Sequence, residues 1–552
     1  MKRAAFLYVT LTLLVWGLFA FDQGLYHDDA FHLAWAWQHA GAPLRGLFEP
    51  MVTPTRLLNS APYILALASP APAVVLQLLV GIYWLLSAFA VFALTRRLFP
   101  WSRTLPLTAG ALAATATSDL LTNSSLGLAY CFSGLTFAAA LAAALRFQEE
   151  ERPASLLAAA LLVNAGLLAS DGAAPAAALA PLLFLAVRGR PDRRWRVASV
   201  CWWLALVPWS IAFLRFLRDP ASYAASALAP FDALRQGRLA AALTAHDFMP
   251  WRWAWRRPVW MEHLPALLPP WAYVLAALAG AVVFLAAVAP LGAAARAAEP
   301  ENAGDRVRRS AFALAVMVLA THAAFSGVQL AEVRFRTQFV TRLFASMLVA
   351  LATEAAARRL REPRLALALP VLFVGLGVAG GLERQDTYLA TWRRQRAELA
   401  SILEVVPALD PDATLVLSLE PEPGVFQATR VPYLAWAWMS LLRDDASVAG
   451  RTVVALPGWG AECRPGAAGL SCTGGLGSGL YAWERLVVLA YDARPSRYRL
   501  VESVPEAGGA YRPRALIRSA PLSGRARSLL AGPRLLARLL PGSGAPDAML
   551  AP

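Results

Sequence analysis

Charged residues are scarce in this sequence. Asp, Glu, Lys and Arg make up 16% of the 552 residues, against about 25% in an ordinary soluble domain. Hydrophobic residues make up 58%, and the mean hydropathy is +0.48. A chain of this composition does not stay folded in water alone, so an array of soluble domains is excluded even though the length would allow about three or four.

Several motifs of soluble enzymes are also absent. The sequence has no phosphate-binding glycine loop, no zinc-binding cysteine set and no serine nucleophile elbow. The glycine-rich stretch 474–483 is interpreted as a loop. Cysteine is rare, with 4 residues in all. Two of them, Cys463 and Cys472, are close enough in sequence to predict a short disulfide loop in an oxidising compartment.

Long apolar blocks are the main feature of the sequence. They cover residues 4–21, 73–95, 105–118, 126–145, 154–170, 173–187, 197–214, 270–290, 310–330, 340–357 and 365–382. Blocks of about twenty residues match the hydrocarbon core of a bilayer, so we predict an α-helical polytopic membrane protein with about eleven spans. The count is open by about one or two, because 105–118 and the pair around Asp171 are short. We interpret 4–21 as an uncleaved first helix rather than a secretory signal.

Arginine residues cluster in the connectors between these apolar blocks. The net charge is +15, and arginines cluster in four short connectors, at 96–103, 188–196, 306–309 and 358–364. All four fall on one side if the N-terminus is cytoplasmic, which is the positive-inside pattern. The sequence therefore predicts a multi-pass protein of the cytoplasmic (inner) membrane and excludes nucleic acid as a partner.

The other side receives the long polar segments. Tryptophan-rich stretches in 22–72 and 215–269 predict helices lying at the membrane interface. We therefore expect a transmembrane domain over 1–382 with these interfacial helices on its outer face. Residues 383–552 form a C-terminal domain, and an odd number of spans places that domain on the extracytoplasmic, periplasmic side.

The C-terminal domain is expected to be α/β or α+β. An amphipathic helix is predicted at 392–406, and short strands are predicted at 414–419, 452–456, 485–491 and 515–519. Segment 528–541 alternates leucine with arginine, and it either lies on the membrane surface or packs on its own domain.

An acidic pair, Asp28 and Asp29, follows the first span directly. Two adjacent carboxylates near a membrane cost free energy, so we expect them where they serve a function. Burial of one carboxylate would raise its pKa and suit it as a general base. The alternative is that Asp28 caps the helix that starts near Ala30. His27 and His32 flank the pair, and Asp28 with His32 could share a helical face and hold a divalent ion, although the spacing is a weak metal signature.

The sequence DDAFH at 28–32, together with the layout of the whole chain, resembles the GT-C glycosyltransferases. Protein O-mannosyltransferases and lipid A aminoarabinose transferases are similar in pattern. The resemblance implies that Asp28 or Asp29 deprotonates or orients the acceptor. The acceptor, an envelope lipid, glycan or protein, then attacks the anomeric carbon of a polyprenyl-phosphate-linked sugar with inversion.

A lipid phosphate leaving group also needs fixed positive charge on the same face. Arg334 and Arg336 lie at the mouth of a late span, and Arg342 lies about one turn inside it, where an unpaired charge is expensive. Glu332 with Arg334 resembles the Glu-Arg stretch of many relatives. We predict that these four residues and His32 bind the substrate. The alternative is that the arginines reach lipid headgroups or pair with Glu332.

Other polar residues on the outer face are weaker candidates. Arg252, Arg256 and Arg257 alternate with tryptophans and form either a second phosphate clamp or an interfacial anchor. By layout Asp119 resembles the second acidic loop that helps to hold the ion in metal-dependent relatives, but it stands alone, so no cofactor is predicted with certainty and a divalent metal stays possible. Asp171, and His246 with Asp247, are interpreted as turn or cap residues.

Two other functions remain open. A transporter or flippase of a lipid-linked saccharide would need ionisable groups inside the spans, and apart from Arg342 and Glu354 these are almost lacking. A catalytically inactive scaffold of envelope assembly would share the architecture. Sugar transfer from a lipid carrier, in contact with membrane lipids, is the function that the sequence favours.

Overall fold

The computed structural model describes most of the chain. The described residues are 2–25, 28–42, 56–116, 125–219, 232–249, 266–292, 303–327, 338–360, 365–419, 428–456, 461–474, 478–492 and 496–531. Within them, helices fill the chain up to residue 405 and all strands follow it.

The helices before residue 406 form the membrane domain. They are α1 (Lys2–Thr12, continued by a π-helical turn Leu13–Gly17), α2 (Asp29–Gln38), α3 (Ala61–Leu67), α4 (Pro72–Leu98), α5 (Thr104–Thr115), α6 (Leu128–Glu150), α7 (Pro153–Ala169), α8 (Ala174–Ala178), α9 (Ala180–Arg188), α10 (Arg193–Arg218), α11 (Ala233–Phe248), α12 (Pro270–Gly292), α13 (Ala303–Ser326), α14 (Gln338–Leu360) and α15 (Leu365–Val405).

Many of these helices can cross a membrane, so the chain is a multi-pass membrane protein. Among the described residues, 8 helices are long and apolar enough to span alone, and α7 with the helical segment Asp171–Ala178 makes a ninth if that pair, bent by 119°, is one span. Each predicted block coincides with a helix, but α5 has only 12 residues, roughly 18 Å against a core of about 30 Å. By this measure the described residues hold 8 or 9 spans, and α5 is one of the short blocks that left the predicted count of about eleven open by one or two.

One end of the helix bundle gathers the arginine-rich connectors. Arg97 pairs with Glu149 at 2.5 Å, and the Arg306 guanidinium donates to the Arg97 carbonyl at 2.6 Å. The Arg194 guanidinium donates to the Gln148 carbonyl at 3.4 Å. We call this end the arginine side. Three of the four arginine-rich connectors, 96–103, 188–196 and 306–309, therefore lie together at this end of the bundle.

The first helix begins on the arginine side and ends against α15. The Tyr8 hydroxyl donates to the Pro106 carbonyl at 3.2 Å, close to where α5 begins. At the other end, the Gln385 amide donates to the Val15 carbonyl at 2.9 Å and its oxygen accepts from the Phe19 amide at 2.8 Å. Gln385 therefore binds backbone groups at the end of the first helix, where intrahelical hydrogen bonds run out.

Helix α15 is the longest element in the described chain, with 41 residues. It runs without interruption through the predicted domain boundary at 382/383 and includes most of the amphipathic helix predicted at 392–406. The transmembrane and C-terminal domains therefore share one continuous helix.

The C-terminal domain contains three small sheets and helices α16 (Pro432–Arg443) and α17 (Gly524–Leu529). The strands are β1 (Ala408–Leu409), β2 (Thr414–Ser418), β3 (Thr452–Ala455), β4 (Glu462–Gly466), β5 (Gly469–Thr473), β6 (Gly479–Tyr481), β7 (Leu486–Asp492), β8 (Arg497–Leu500) and β9 (Ile517–Arg518).

The main sheet has the order β3-β2-β7-β8, with β2 parallel to β3 and β7, and β8 antiparallel. Parallel pairing with helices against the sheet makes the domain α/β in character. All four predicted strands are present in the structure, whereas β1, β4, β5, β6 and β8 were not predicted.

The second sheet, β4-β5-β6, carries the disulfide between Cys463 and Cys472, as predicted. The interpretation of 474–483 as a loop is wrong for Gly479–Tyr481, which pairs with β5. Of segment 528–541, only the first residues lie within the described chain, and Leu529 ends α17.

Candidate active site

Asp29 begins α2 just beyond the end of the first span, and its side chain is fully buried, at 0% exposure. The Tyr63 hydroxyl of α3 donates to Oδ1 at 3.0 Å, and the Ser125 hydroxyl donates to Oδ2. Burial disfavours a carboxylate, and two hydroxyl donors offset part of that cost by stabilising the charged form. Asp29 is therefore a fixed acidic group where three separate segments meet.

Asp28 binds the C-terminal domain. The Tyr433 hydroxyl of α16 donates to Asp28 Oδ1 at 2.7 Å, although the two residues are far apart in sequence. The Asp28 side chain accepts no hydrogen bond from the first turn of α2. The alternative that Asp28 serves as a helix cap is thus wrong, and its carboxylate, only partly buried, faces the junction between the two domains.

His32 lies one turn after Asp28 and is buried. Its ring packs against the Tyr63 ring with centroids 4.8 Å apart, so Tyr63 contacts both Asp29 and His32. Burial and the nearby Asp29 charge raise the pKa of Tyr63 well above its usual value. Tyr63 therefore keeps its proton and stays a hydrogen-bond donor to Asp29 at physiological pH.

A metal centre is not seen in the described part of the chain. No group of three or more His, Cys, Asp or Glu side chains is arranged there to hold an ion. Asp119, the other proposed ligand, lies outside the described residues, so metal binding by Asp28 and His32 stays a prediction.

Arg342 lies about one turn into α14 and is buried, at 1% exposure. Its guanidinium carbon lies 3.4 Å from the Trp84 ring centroid and 4.9 Å from the Phe339 ring centroid. The contact with the Ala116 carbonyl, at 3.5 Å, is long for a hydrogen bond. Aromatic faces therefore stabilise a cation that burial alone would disfavour.

Arg342 and the acidic pair lie toward the same end of the bundle. Helix α5 begins at the arginine side and ends beside Arg342, so this cation lies roughly 18 Å from the arginine side, in the half of the bundle that carries the acidic pair.

Contacts along helix α15 show how deep Arg342 lies in the membrane domain. Gly377 packs directly on the Thr115 carbonyl, and Gln385, about eight residues or roughly 12 Å further along, binds Phe19 at the exit of the first helix. Arg342 is therefore recessed into the membrane domain, below the level of the acidic pair.

Several predicted site residues lie outside the described chain. They are Glu332, Arg334 and Arg336, with His27, Asp119, Arg252, Arg256 and Arg257. Their proposed contacts with a donor phosphate, a metal or the membrane interface stay predictions.

Two other predicted groups have clear partners. Asp171 pairs with Arg56 at 2.6 Å, within a turn where the Gly172 amide donates to Ser170 Oγ at 3.3 Å, as expected of a turn residue. Asp247 differs, because its carboxylate is fully buried and contacts the His322 ring. The interpretation of Asp247 as a turn or cap residue is therefore wrong.

Sequence reasoning missed Tyr63, Ser125, Trp84 and Tyr433. Each is a common residue in a stretch without a motif, and each reaches the site through a long-range contact. Trp84 lay inside a predicted span, where an aromatic residue gives no functional signal.

No family model and no curated protein matches this chain. Solved structures with a similar fold include ArnT from Cupriavidus metallidurans bound to undecaprenyl phosphate, at 14% identity and TM-score 0.39, covering 78% of this chain and 87% of that one. The same protein in the apo state matches at 13% identity and TM-score 0.37, covering 78% and 83%.

The archaeal oligosaccharyltransferase AglB from Archaeoglobus fulgidus, solved with an inhibitory peptide and a dolichol-phosphate, matches at 11% identity and TM-score 0.39. The match covers 81% of this chain and 63% of AglB. Likenesses this distant carry no weight for function, which has to be inferred from the chain's own residues.

Proposed function

We propose that this protein transfers a sugar from a polyprenyl-phosphate-linked donor to an acceptor of the cell envelope, with inversion, on the outer face of the cytoplasmic membrane. The single observation that carries the proposal is the acidic pair itself. Asp29 is held by hydroxyl donors from two segments, and Asp28 is held by a tyrosine of the C-terminal domain. This degree of fixation is what a general base requires.

The two carboxylates have different roles in this proposal. Asp28 is partly exposed, so an acceptor hydroxyl or amine reaches it directly, and Asp28 accepts the acceptor's proton. The acceptor atom bonds to the anomeric carbon while the bond from that carbon to the phosphate oxygen breaks. The polyprenyl phosphate leaves with the bonding electrons. Asp29 fixes the first residue of α2 and thereby the orientation of Asp28.

Positive charge below the acidic pair supports the leaving group. Arg342 supplies a fixed cation whose position is set by Trp84 and Phe339. In this proposal Arg334 and Arg336 bind the phosphate oxygens in bidentate fashion, Glu332 orients them, and His32 lines the site. The N-terminus and arginine side are cytoplasmic, and the C-terminal domain covers the acceptor side.

The first experiment identifies the carrier. Lipids extracted from the purified protein are analysed by mass spectrometry, and a polyprenyl phosphate carrying a sugar is expected. The identified lipid then serves as donor in a transfer assay with membranes that contain the variants.

Asp28→Asn and Asp29→Asn are each expected to lower transfer by about 10²–10⁴-fold, because the amide cannot accept the proton or hold the site. Asp171→Asn is the matched control, since it removes a carboxylate with a partner outside the site, and it is expected to keep wild-type transfer. Full activity in both Asp28→Asn and Asp29→Asn would remove the proposed base.

A further inference from the structure

Glu398 is a buried acidic residue that the proposed mechanism does not use. It lies near the end of α15, where this helix packs on the C-terminal domain, and it is 1% exposed. Both carboxylate oxygens bind one turn later in the chain: Oε2 accepts from the Ala428 amide and Oε1 from the Thr429 amide, each at 3.1 Å. The Thr429 hydroxyl also donates to Oε1. These donors offset the cost of burying a carboxylate, so Glu398 fixes the turn in place.

The same turn is tied to the main sheet. The Tyr498 hydroxyl, on β8, lies 2.7 Å from Thr429 Oγ1. The Tyr498 amide donates to Ser401 Oγ at 2.8 Å, and the Ser401 hydroxyl donates to the Glu398 carbonyl at 2.6 Å. All four residues are buried. A buried network of this kind holds the parts that it joins rigidly, and here it joins α15, β8 and the turn.

The turn at 428–429 leads directly into α16. Pro432 is the first residue of that helix, and its ring fixes the backbone φ angle there. The N-cap residue is Val431, whose apolar side chain cannot accept a hydrogen bond from the first turn. The position of the helix start is therefore set by the preceding turn, which Glu398 holds.

This helix start carries Tyr433, the residue that binds Asp28. Thr429 precedes Tyr433 by four residues, and the Tyr433 hydroxyl donates to Asp28 Oδ1 at 2.7 Å. The next residue, Leu434, is fully buried in one apolar cluster with Tyr388 of α15. A displacement of about 0.3 Å already takes such a contact to the end of the usual range for a hydroxyl donor, so the position of the helix start matters for Asp28.

Helix α15 thus fixes both sides of the contact between Asp28 and Tyr433. Gln385 binds the Phe19 amide at the exit of the first helix, and the chain reaches Asp28 nine residues later. Glu398, on the same helix, holds the turn that leads to Tyr433. A single rigid element therefore sets the distance between the carboxylate and its donor.

We propose that Glu398 is a positioning residue for the base Asp28. By holding the turn at 428–429 it fixes the start of α16, and with it the Tyr433 hydroxyl that orients the Asp28 carboxylate. Its hydrogen bonds go to the turn, so it acts on the reaction through Tyr433. This inference rests on the proposed function, because the orientation of Asp28 matters for transfer only if that carboxylate accepts the proton.

A double-mutant cycle tests the proposal. The full-length protein is assayed in membranes, with the sugar-bearing lipid extracted from the purified protein as donor. Glu398→Gln keeps the size of the side chain but turns an amide NH2 towards the N–H donors of the turn. We expect kcat to fall by up to about tenfold, no more than in Tyr433→Phe, because the effect passes through that hydroxyl. The KM for the lipid donor is expected to stay unchanged. In a Tyr433→Phe background the same substitution is expected to cost less than about twofold.

Two control variants separate positioning from general loss of stability. Tyr511→Phe removes another buried hydroxyl of the same domain, one that donates to a backbone carbonyl at 2.9 Å. It is expected to lower Tm and to leave transfer per folded molecule unchanged. Glu502→Gln makes the same chemical change as Glu398→Gln at an exposed ion pair with Arg514, and it is expected to change neither quantity.

The outcomes distinguish this inference from the proposed function. If the wild type transfers sugar and Glu398→Gln does so at the same rate, the inference fails and the proposed function stands. An equal loss with and without the Tyr433 hydroxyl would also overturn the inference. If the wild type transfers no sugar, the proposed function fails and the inference fails with it.

Hydrogen exchange of the wild type covers the case in which Glu398→Gln does not fold. The amides of Ala428 and Thr429 are expected to exchange at least about tenfold more slowly than freely exposed amides, because both donate to a buried carboxylate. Exchange as fast as that of exposed amides would show that Glu398 does not hold the turn, and the proposal would fail.

Discussion

At the scale of single residues, Tyr433 connects the C-terminal domain to the proposed chemistry. Its hydroxyl donates to Asp28, and its ring packs edge-on against Phe31 with centroids 5.4 Å apart. The hydroxyl and the ring therefore have separable effects, because the first orients the carboxylate and the second holds α2 against α16.

We predict that Tyr433→Phe lowers sugar transfer about tenfold while leaving the melting temperature nearly unchanged. The phenylalanine ring keeps the packing on Phe31, but Asp28 loses a donor worth about 1–3 kcal/mol when a charged acceptor is involved. Transfer rates measured in membranes, with Tm measured on the purified variant, check this expectation.

The control for Tyr433→Phe is Tyr8→Phe, which removes a buried tyrosine hydroxyl on the arginine side. It is expected to lower stability and to leave transfer per folded molecule unchanged. Equal transfer by Tyr433→Phe and the wild type would show that Asp28 does not depend on the C-terminal domain for its orientation.

The residues of the site differ in how far sequence could predict them. Asp28 and Asp29 were evident because adjacent carboxylates at a span end are rare and costly. Tyr63 and Tyr433 carried no such signal, since a tyrosine near an interface is common. Their roles come from contacts across the fold, which depend on packing that no local pattern encodes.

At the scale of elements, the helices and the main strands followed from periodicity and length. The continuity of α15 did not, because the charged and polar residues after 382 are typical of a segment leaving the membrane. In the structure these residues are buried with partners: Asp386 accepts from the Leu267 amide at 3.1 Å and from the Tyr273 hydroxyl at 2.7 Å. Tertiary hydrogen bonds thus permit a polar helix where composition predicted a boundary.

Close contact between α5 and α15 depends on Gly377. A Cβ atom added at this position would lie 2.2 Å from the Thr115 carbonyl oxygen, so the two helices would have to separate. Small residues allow such approach in membrane helices. The contact also lies just before Ala116, whose carbonyl meets Arg342.

We predict that Gly377→Ala destabilises the protein by about 1–3 kcal/mol, as overpacking does in other cores, and lowers Tm in detergent. Gly237→Ala is the matched control, because an added Cβ there meets nothing within 4 Å, and alanine favours a helix. A Gly377→Ala variant as stable as Gly237→Ala would contradict the close packing of α5 on α15.

At the scale of the whole molecule, two ends of the bundle have opposite characters. The arginine side gathers ion pairs among short connectors, as in Arg97 with Glu149. The other end carries the acidic pair, the recessed Arg342 and the C-terminal domain with its disulfide. The orientation of these ends in the membrane decides which compartment supplies the acceptor.

We predict that the C-terminal domain is extracytoplasmic, and cysteine labelling tests this directly. In a Cys201→Ser background, with Cys131 buried and Cys463 bonded to Cys472, a new cysteine at Glu506 or at Asp305 is the reactive thiol. Both positions are exposed, the first in the C-terminal domain and the second on the arginine side.

A membrane-impermeant thiol reagent is expected to label Glu506→Cys in intact cells and Asp305→Cys only after the membrane is opened. Positive connectors stay in the cytoplasm and a structural disulfide persists in an oxidising compartment, so both features favour this orientation. The reverse labelling pattern would place Asp28 and Asp29 in the cytoplasm. In that case the acceptor would be a cytoplasmic molecule rather than a component of the envelope, even if the chemistry at the acidic pair were as proposed.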